Sequence, residues 1–468
     1  MLIEAAALRA AGRQPSAPFE ITLADGRVLA VSRLLRVLPG KRVVGEASLD
    51  GQRVLAKLFV ASASERHWSR ERGGIEALQA AGVATPELCW AGALAGGGYA
   101  LLTEFIEAAQ SLADACDGAD ETSRLRMVMP LLAKMHAAGL AQEDLHLGNF
   151  LCAAGRCYVI DGDAVRVSAK PLTAVEVSAN LAILFAQLPP RQDAQIPDVL
   201  TTYAATPGAQ VPETGPLLAE VQAVRARRLR HFLAKTGREC TQFAVTRSLR
   251  RFVAVSRDDH ALLRALIDNP DAVLAEGQRL KSGGTCTVAG VQLGASRVVV
   301  KRYNLKHWRH ALSRAWRPSR AWHSWREGHR LAFYGIATPR PLAVIEERLG
   351  PLRGRAFLVN EYCPGASLFD VLDAGQVPEP AMAAALLELF GQLHALRITH
   401  GDLKASNLLW DAGRVVLIDL DAMHQHTSPT GFARAWQRDR SRFLRNWPAG
   451  SPLREWLDRS LPGAQSAA

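Results

Sequence analysis

No apolar run in this 468-residue chain approaches the roughly 20 residues that a membrane-spanning helix requires. The first residues, Met1-Leu2-Ile3-Glu4, lack the basic-then-apolar order of a signal peptide. Both absences point to a cytoplasmic protein. Cysteine is scarce: seven residues, with no Cys-x-x-Cys pair and no histidines at zinc spacing, which argues for reduced thiols rather than disulfides or a structural metal. What remains is an ordinary globular composition, 48% hydrophobic and 22% charged, at a length that suits two or three domains.

The net charge of +11 is unevenly spread. Ten Lys/Arg stand between Arg225 and Arg257 against Glu239 alone, and eight stand between Lys301 and Arg326 with no acid. The second stretch also holds Trp308, Trp316, Trp322 and Trp325. Trp308, Leu312 and Trp316 fall on one helical face, a pattern that suits an anionic membrane surface or anionic substrate. The competing readings are core tryptophans beneath a solvated basic face, and, less favoured, nucleic acid.

The chain states one pattern twice. Residues 144–149 read Asp-Leu-His-Leu-Gly-Asn and are followed by Val159-Ile160-Asp161; residues 402–407 read Asp-Leu-Lys-Ala-Ser-Asn and are followed by Leu417-Ile418-Asp419. In both copies Asn follows the first Asp by five residues and the second Asp follows by seventeen. His136 and His394 each precede the first Asp by eight residues, and Gly82-Val83-Ala84-Thr85-Pro86 and Gly335-Ile336-Ala337-Thr338-Pro339 lie farther upstream. Before those, β-rich runs end in Lys57 and Lys301. Conserved order at this length marks a duplicated domain.

Alternation of apolar and polar positions over 28–60 predicts a small antiparallel sheet, followed by a helix near 64–81, strands near 87–106 and helical spacing from 108 to 142. The same plan recurs from about 278: a strand to Lys301, a long basic helical segment, strands near 341–361 and helices to 398. A basic helix over about 215–235 leads into the second copy, so the expected domains are 1–230 and 231–468, with a short disordered tail after Pro462. The expected fold class is α+β: two tandem bilobal domains, each with a β-rich N-lobe and an α-rich C-lobe.

An Asp that orients and deprotonates an attacking hydroxyl, with an Asn and a second Asp to hold magnesium, is the minimal equipment of phosphoryl transfer. His400-Gly401-Asp402-Leu403-Lys404-Ala405-Ser406-Asn407 resembles the catalytic loop of the protein-kinase-like superfamily. That resemblance implies Asp402 and Asp144 as bases, Asn407, Asp419, Asn149 and Asp161 as Mg2+ ligands, and Lys301 and Lys57 as the residues that steady the phosphates of ATP. Lys404 is placed to neutralise charge on the transferring group. The helix carboxylates expected to pair with the two strand lysines are Glu327 and Glu71. In the first copy Gln142-Glu143 replaces His400-Gly401, which sets the first site apart from the second. Neither copy has Gly-x-Gly-x-x-Gly; Gly45 and Gly284 are weak pointers to a phosphate-covering loop.

No Phe-Gly follows Asp161 or Asp419 and no Ala-Pro-Glu lies beyond, so an activation segment of the protein-kinase kind is missing. Asp144-Leu145-His146-Leu147-Gly148-Asn149-Phe150-Leu151, Leu38-Pro39-Gly40-Lys41-Arg42, Lys301-Arg302-Tyr303-Asn304, Ser319-Arg320-Ala321-Trp322 and Ala337-Thr338-Pro339-Arg340-Pro341-Leu342 resemble the lipopolysaccharide core kinase family. The resemblance covers about 30–190 and 275–448. It implies an ATP- and magnesium-dependent phosphotransferase acting on heptose or Kdo hydroxyls of a core glycolipid, at the cytoplasmic face of the inner membrane and its anionic surface. The alternatives are a kinase of proteins or other small molecules, and a pseudokinase scaffold.

Overall fold

The computed structural model describes residues 1–114, 121–283, 286–304, 318–350 and 352–463. Contacts divide the chain into two units, Met1–Arg225 and Ala226–Ala468. The division falls within the helix Thr214–Lys235, which supplies Leu217, Val221 and Val224 to the first core and Leu229 and Leu233 to the second.

In the first unit a six-stranded antiparallel sheet runs in the spatial order Phe19–Thr22, Val28–Leu38, Arg42–Leu49, Gln52–Phe59, Tyr99–Glu104, Leu88–Ala93. Side chains alternate across a strand, so Val54, Ala56 and Leu58 enter the core of this lobe while Leu55 and Lys57 turn to the opposite face. That face carries the helix Glu65–Ala80, packed through Ile75 against Phe59 and Leu101. The α-rich lobe that follows buries Leu132, Met135, Phe150, Leu181, Phe185 and Tyr203. Its helix Ala174–Phe185 begins with a reciprocal cap between Thr173 and Glu176.

The second unit repeats the plan with a seven-stranded antiparallel sheet ordered Phe243–Arg247, Arg251–Ser256, Pro341–Leu349, Leu352–Glu361, Ser296–Tyr303, Cys286–Leu293, Gln278–Ser282. The first two strands were not expected: the segment reads as a run of arginines, yet Phe252, Val253, Ala254 and Val255 are buried between them. The helix Arg320–Tyr334 starts at Ser319, whose hydroxyl accepts from the Trp322 N–H at 3.0 Å, and stops at Gly335 with φ of 72°. The α-rich lobe closes on Phe390, Leu393, Leu408, Trp436 and Phe443.

Three findings bear on the expectations. Trp322 and Trp325 are lobe packing, in keeping with the core reading and not with an open aromatic face: Trp325 is fully buried and donates to the Thr236 carbonyl at 3.2 Å, and Trp322 stands edge-on to Phe252. Trp308, Trp316 and the basic segment around them lie outside the described residues, as do Gly284 and most of the tail after Pro462. Cys152 and Cys157 are a directly opposed pair on the hairpin Phe150–Ala153/Arg156–Val159 and are joined as a disulfide, against the expectation of reduced thiols. Among the described residues no helix is long and apolar enough to cross a membrane.

Each unit buries a histidine that burial pushes down to about 4: His136, between Tyr203 and Asn180, and His329, against Trp325 and Phe243. Both folded values lie below the ordinary value near 6.5, so the unfolded chain binds more protons between about pH 4 and 6.5. Stability from these groups is complete above that window and falls as pH descends through it, by roughly 2 kcal/mol each at pH 5. Urea unfolding at pH 7 and pH 5 should show that loss, and His329→Leu should flatten it; an unchanged slope in the variant would exclude His329 as a source.

Candidate active site

The spacing of five and seventeen residues is the arithmetic of one hairpin. The Asn149 side-chain amide donates to the Asp144 carbonyl at 2.8 Å, and Asn407 does the same to Asp402 at 2.9 Å. The chain then runs out along Phe150–Ala153, turns at Ala154-Gly155, and returns along Arg156–Val159 in the register Phe150↔Val159. That brings the Ile160 N–H onto the Asn149 carbonyl at 2.9 Å, and the Ile418 N–H onto Asn407 at 3.0 Å. Asp161 and Asp419 come next, in left-handed conformations with φ of 74° and 61°. A non-glycine residue held there costs on the order of 1 kcal/mol or more, and persists only where its surroundings dictate it.

The Ala-Thr-Pro segments hold these hairpins to the β-rich lobes. The Val159 N–H donates to the Ala84 carbonyl at 2.8 Å and the Thr85 hydroxyl donates to the Val159 carbonyl at 2.8 Å. Leu417 and Ala337, and Thr338 and Leu417, repeat both bonds at 2.9 Å. Sequence reasoning used these motifs as markers of the repeat and, in the second copy, of the family resemblance, and assigned them no structural task. The signal was there: the same Thr stands at the same place in both.

The lysines are held differently in the two copies. Lys57 pairs with Glu71, which is fully buried; the second Glu71 oxygen meets Arg42 at 3.4 Å, and the first accepts from the Gly162 N–H at 3.2 Å. Helix and loop approach so closely that a Cβ on Gly74 would lie 2.0 Å from the Gly162 carbonyl oxygen. In the second copy Glu327 does not reach Lys301. It pairs with Arg330 at 2.8 Å, because it lies eight residues before Gly335 whereas Glu71 lies eleven before Gly82. The residue eleven before Gly335 is Ser324. Its hydroxyl donates to Asp421 at 2.8 Å, Tyr303 donates to the same oxygen at 2.6 Å, and Lys301 bridges Asp421 at 2.9 Å and Asp419 at 2.5 Å. Burial alone would pull the Lys301 ammonium down, but Asp421 and Asp419 outweigh it and raise it; burial likewise opposes the Asp419 carboxylate, and Lys301 holds it below the usual range.

The loop carrying the first Asp is also buttressed twice. His400 donates from Nε2 to the Ile418 carbonyl at 2.9 Å, while the His400 and Gly401 N–H groups donate to the buried Asp439 at 2.6 and 2.9 Å. In the first copy Gln142 stands in for the histidine, donating to the Asp161 carbonyl at 2.8 Å, and Asn180 donates to the Gln142 carbonyl at 2.8 Å. Replacement of His-Gly therefore leaves the loop supported. Beside the Asp402 carboxylate lie Lys404 at 3.1 Å and Arg442 at 3.4 Å; beside Asp144 lies His146 at 3.9 Å.

A cleft separates the lobes in each unit. The second, about 400 Å³, lies between Val288 and Val299 on the sheet and Leu409 on the hairpin, with Lys301, Asn407 and Asp419 at its polar end. The first, about 270 Å³, is lined by Leu35, Leu55 and Leu151 with Lys57 and Asp161. An apolar slot ending in a lysine and carboxylates suits a purine nucleotide and its phosphates. Magnesium also fits: Asp161 keeps a buried carboxylate oxygen with no hydrogen-bond partner, and each Asn commits its NH2 to a carbonyl, leaving the amide oxygen as acceptor. Among the described residues no three His, Cys, Asp or Glu side chains converge into a cage. Magnesium needs none, since one or two carboxylates and substrate phosphates hold it.

Removing one partner of a buried pair strands the other, at about 3–5 kcal/mol. Glu71→Gln leaves Lys57 without its carboxylate and should lower stability by that order, whereas Lys301 keeps Asp419 in Asp421→Asn and should lose less; both changes should weaken ATP-dependent stabilisation of the unit concerned, while Glu327→Gln leaves nucleotide binding unchanged. Thermal unfolding with and without MgATP decides between them; loss of nucleotide binding in Glu327→Gln but not in Asp421→Asn would overturn the assignment.

A search of curated proteins finds no match for the chain. Similar solved structures include one described as WaaP in complex with acyl carrier protein, with 19% identity over 42% of this chain and 86% of the other and a TM-score of 0.30. Another is vaccinia related kinase 3, with 10% identity over 49% and 79% and a TM-score of 0.27. The model of the lipopolysaccharide kinase (Kdo/WaaP) family matches residues 52–203 and again residues 268–456, well over half of the sequence. Both matches contain the Asp-Asn-Asp hairpin and the lysine described above, and on that ground the chain belongs to the lipopolysaccharide kinase (Kdo/WaaP) family and carries its kinase-like domain twice.

Proposed function

We propose that the chain transfers the γ-phosphoryl group of ATP to a heptose or Kdo hydroxyl of the lipopolysaccharide inner core, with domains near 1–230 and 231–468. The observation that carries this reading is the Asp402 carboxylate, half-exposed beside Lys404 and Arg442, on a loop tied through the Asn407 amide to a cleft that ends in Lys301, Asn407 and Asp419. Asp402 orients the sugar hydroxyl and takes its proton as the oxygen attacks phosphorus. Lys404 offsets negative charge on the transferring group, and Lys301 steadies the nucleotide phosphates. Asp144, Asn149, Asp161 and Lys57, with Glu71 behind the lysine, offer the same set in the first domain. Magnesium, held by Asn407 and Asp419 or by Asn149 and Asp161, would neutralise the phosphate oxygens. A glycolipid acceptor places the work at the cytoplasmic face of the inner membrane, where the net charge of +11 favours an anionic surface.

One observation favours a second reading for the second domain alone. Lys301 already occupies the Asp419 carboxylate, as it would in a domain that binds a partner without catalysing.

Asp402→Ala should leave the fold intact and lower phosphoryl transfer from the second domain by a factor on the order of 100 to 10,000. Purified wild type, Asp402→Ala, Asp144→Ala and the Asp402→Ala/Asp144→Ala double variant are compared for turnover, and core oligosaccharide from cells carrying each is weighed by mass spectrometry. Undiminished turnover in the double variant would end the kinase reading; loss with Asp144→Ala alone would assign catalysis to the first domain.

A further inference from the structure

The second domain holds a larger cavity than its nucleotide cleft. About 940 Å³ opens between the helices Pro429–Leu444 and Pro452–Ser460, and its charged lining is Arg438, Arg440, Arg442, Arg445, Arg454 and Arg459 against the single acid Asp458. Arg438, Arg442 and Arg445 recur at i, i+4 and i+7, so one helix face presents all three. Asp458 is already paired with Arg440 at 2.6 Å. Arg438, Arg445 and Arg459 are exposed and, among the described residues, have no carboxylate partner.

A solvated basic face is the ordinary explanation for surface arginines, and three features stand against it. The surface is concave, so these arginines line one depression where a convex face would spread them. It leads to the chemistry, since Arg442 donates to the Gly401 carbonyl and lies 3.4 Å from the Asp402 carboxylate. It is also peculiar to this copy. The matching helix of the first copy, Ala174–Phe185, also begins at a hydroxyl cap and sends a buried side chain, Asn180, to the loop as Asp439 does, yet no Lys or Arg stands anywhere from Ala174 through Pro190.

We infer that this arginine groove binds the anionic groups, phosphate or carboxylate, of a saccharide acceptor and delivers its hydroxyl to Asp402, so that the second domain is the one that takes a polyanionic sugar. Planar guanidinium forks match carboxylate and phosphate oxygens in pairs, which a lysine surface would not do. The inference rests on the kinase reading for the identity of the hydroxyl, but the binding itself is testable apart from turnover.

The full chain and its Arg438→Gln/Arg445→Gln/Arg459→Gln variant are titrated with deacylated core oligosaccharide bearing its phosphates and carboxylates, and with the same oligosaccharide dephosphorylated and carboxyl-reduced. Wild type should prefer the charged probe, with affinity falling as salt rises. The variant should bind the charged probe about tenfold or more weaker, with ATP-dependent stabilisation and unfolding temperature unchanged; in turnover the loss should appear in the acceptor KM more than in kcat. Equal binding of both probes by wild type, or undiminished binding by the variant, would overturn the inference. So would a variant that loses only its attachment to phosphatidylglycerol vesicles, which would make the groove a membrane contact. Absence of phosphate transfer with the binding difference intact would instead fault the kinase reading and leave the groove standing.

Discussion

Two hydrogen bonds in each domain, from a strand N–H to an alanine carbonyl and from a threonine hydroxyl to that same strand's carbonyl, hold the carboxylate-bearing hairpin to the β-rich lobe. Every candidate site residue is referred to that point. The strand residue so clamped lies two positions before Asp161 or Asp419, and on its other side the hairpin register fixes Asn149 or Asn407 and, through the Asn amide, the carbonyl of Asp144 or Asp402. Lysine, amide and two carboxylates thereby share one short covalent and hydrogen-bonded frame, and the cleft has a defined width before any nucleotide enters. Preorganisation of this kind is what phosphoryl transfer asks of a protein, since positioning and charge supply nearly all of the rate.

Within that frame the two domains differ in which residues perform each supporting task. The first keeps the helix carboxylate behind its lysine and gives up the loop histidine, whose donor role passes to Gln142. The second keeps the histidine, anchors its loop on Asp439, and gives up the helix carboxylate. The surroundings of the first Asp differ as well: His146 lies 3.9 Å from Asp144, where Lys404 and Arg442 stand beside Asp402 at 3.1 and 3.4 Å.

Much of this was legible in the sequence because it is periodic or arithmetic. Strand alternation puts Lys57 opposite Val54, Ala56 and Leu58 on the cleft face, and seventeen residues between two Asp is a hairpin length. Glu71 was readable as the partner of Lys57 for the same reason. Its counterpart was not, because choosing Glu327 over Ser324 needs the helix phase to within one turn, and a serine gives no hint that a carboxylate from another loop, Asp421, reaches the lysine through space. The strands Phe243–Arg247 and Arg251–Ser256 were hidden by the arginines at their turn, Arg247 and Arg250 exposed and Arg251 half-buried against the Ile267 carbonyl. The Cys152–Cys157 pair was hidden differently: spacing alone says nothing, but once the hairpin register is known the two residues face each other.

The exchange behind the two lysines also changes what ties the lobes together. The first domain holds both carboxylates at once, Glu71 on Lys57 and Asp163 on Arg70 at 2.9 Å. Asp163 occupies the position of Asp421. An acid two residues beyond Asp161 or Asp419 is thus present in both halves, paired with a helix arginine where a glutamate serves the lysine, and with the lysine itself where that helix position is Ser324. In the first domain the lysine is held by a helix of its own lobe, whereas in the second the strand that carries Lys301 is tied directly to the loop beyond the hairpin, so that any motion of one lobe against the other must stretch an ion pair.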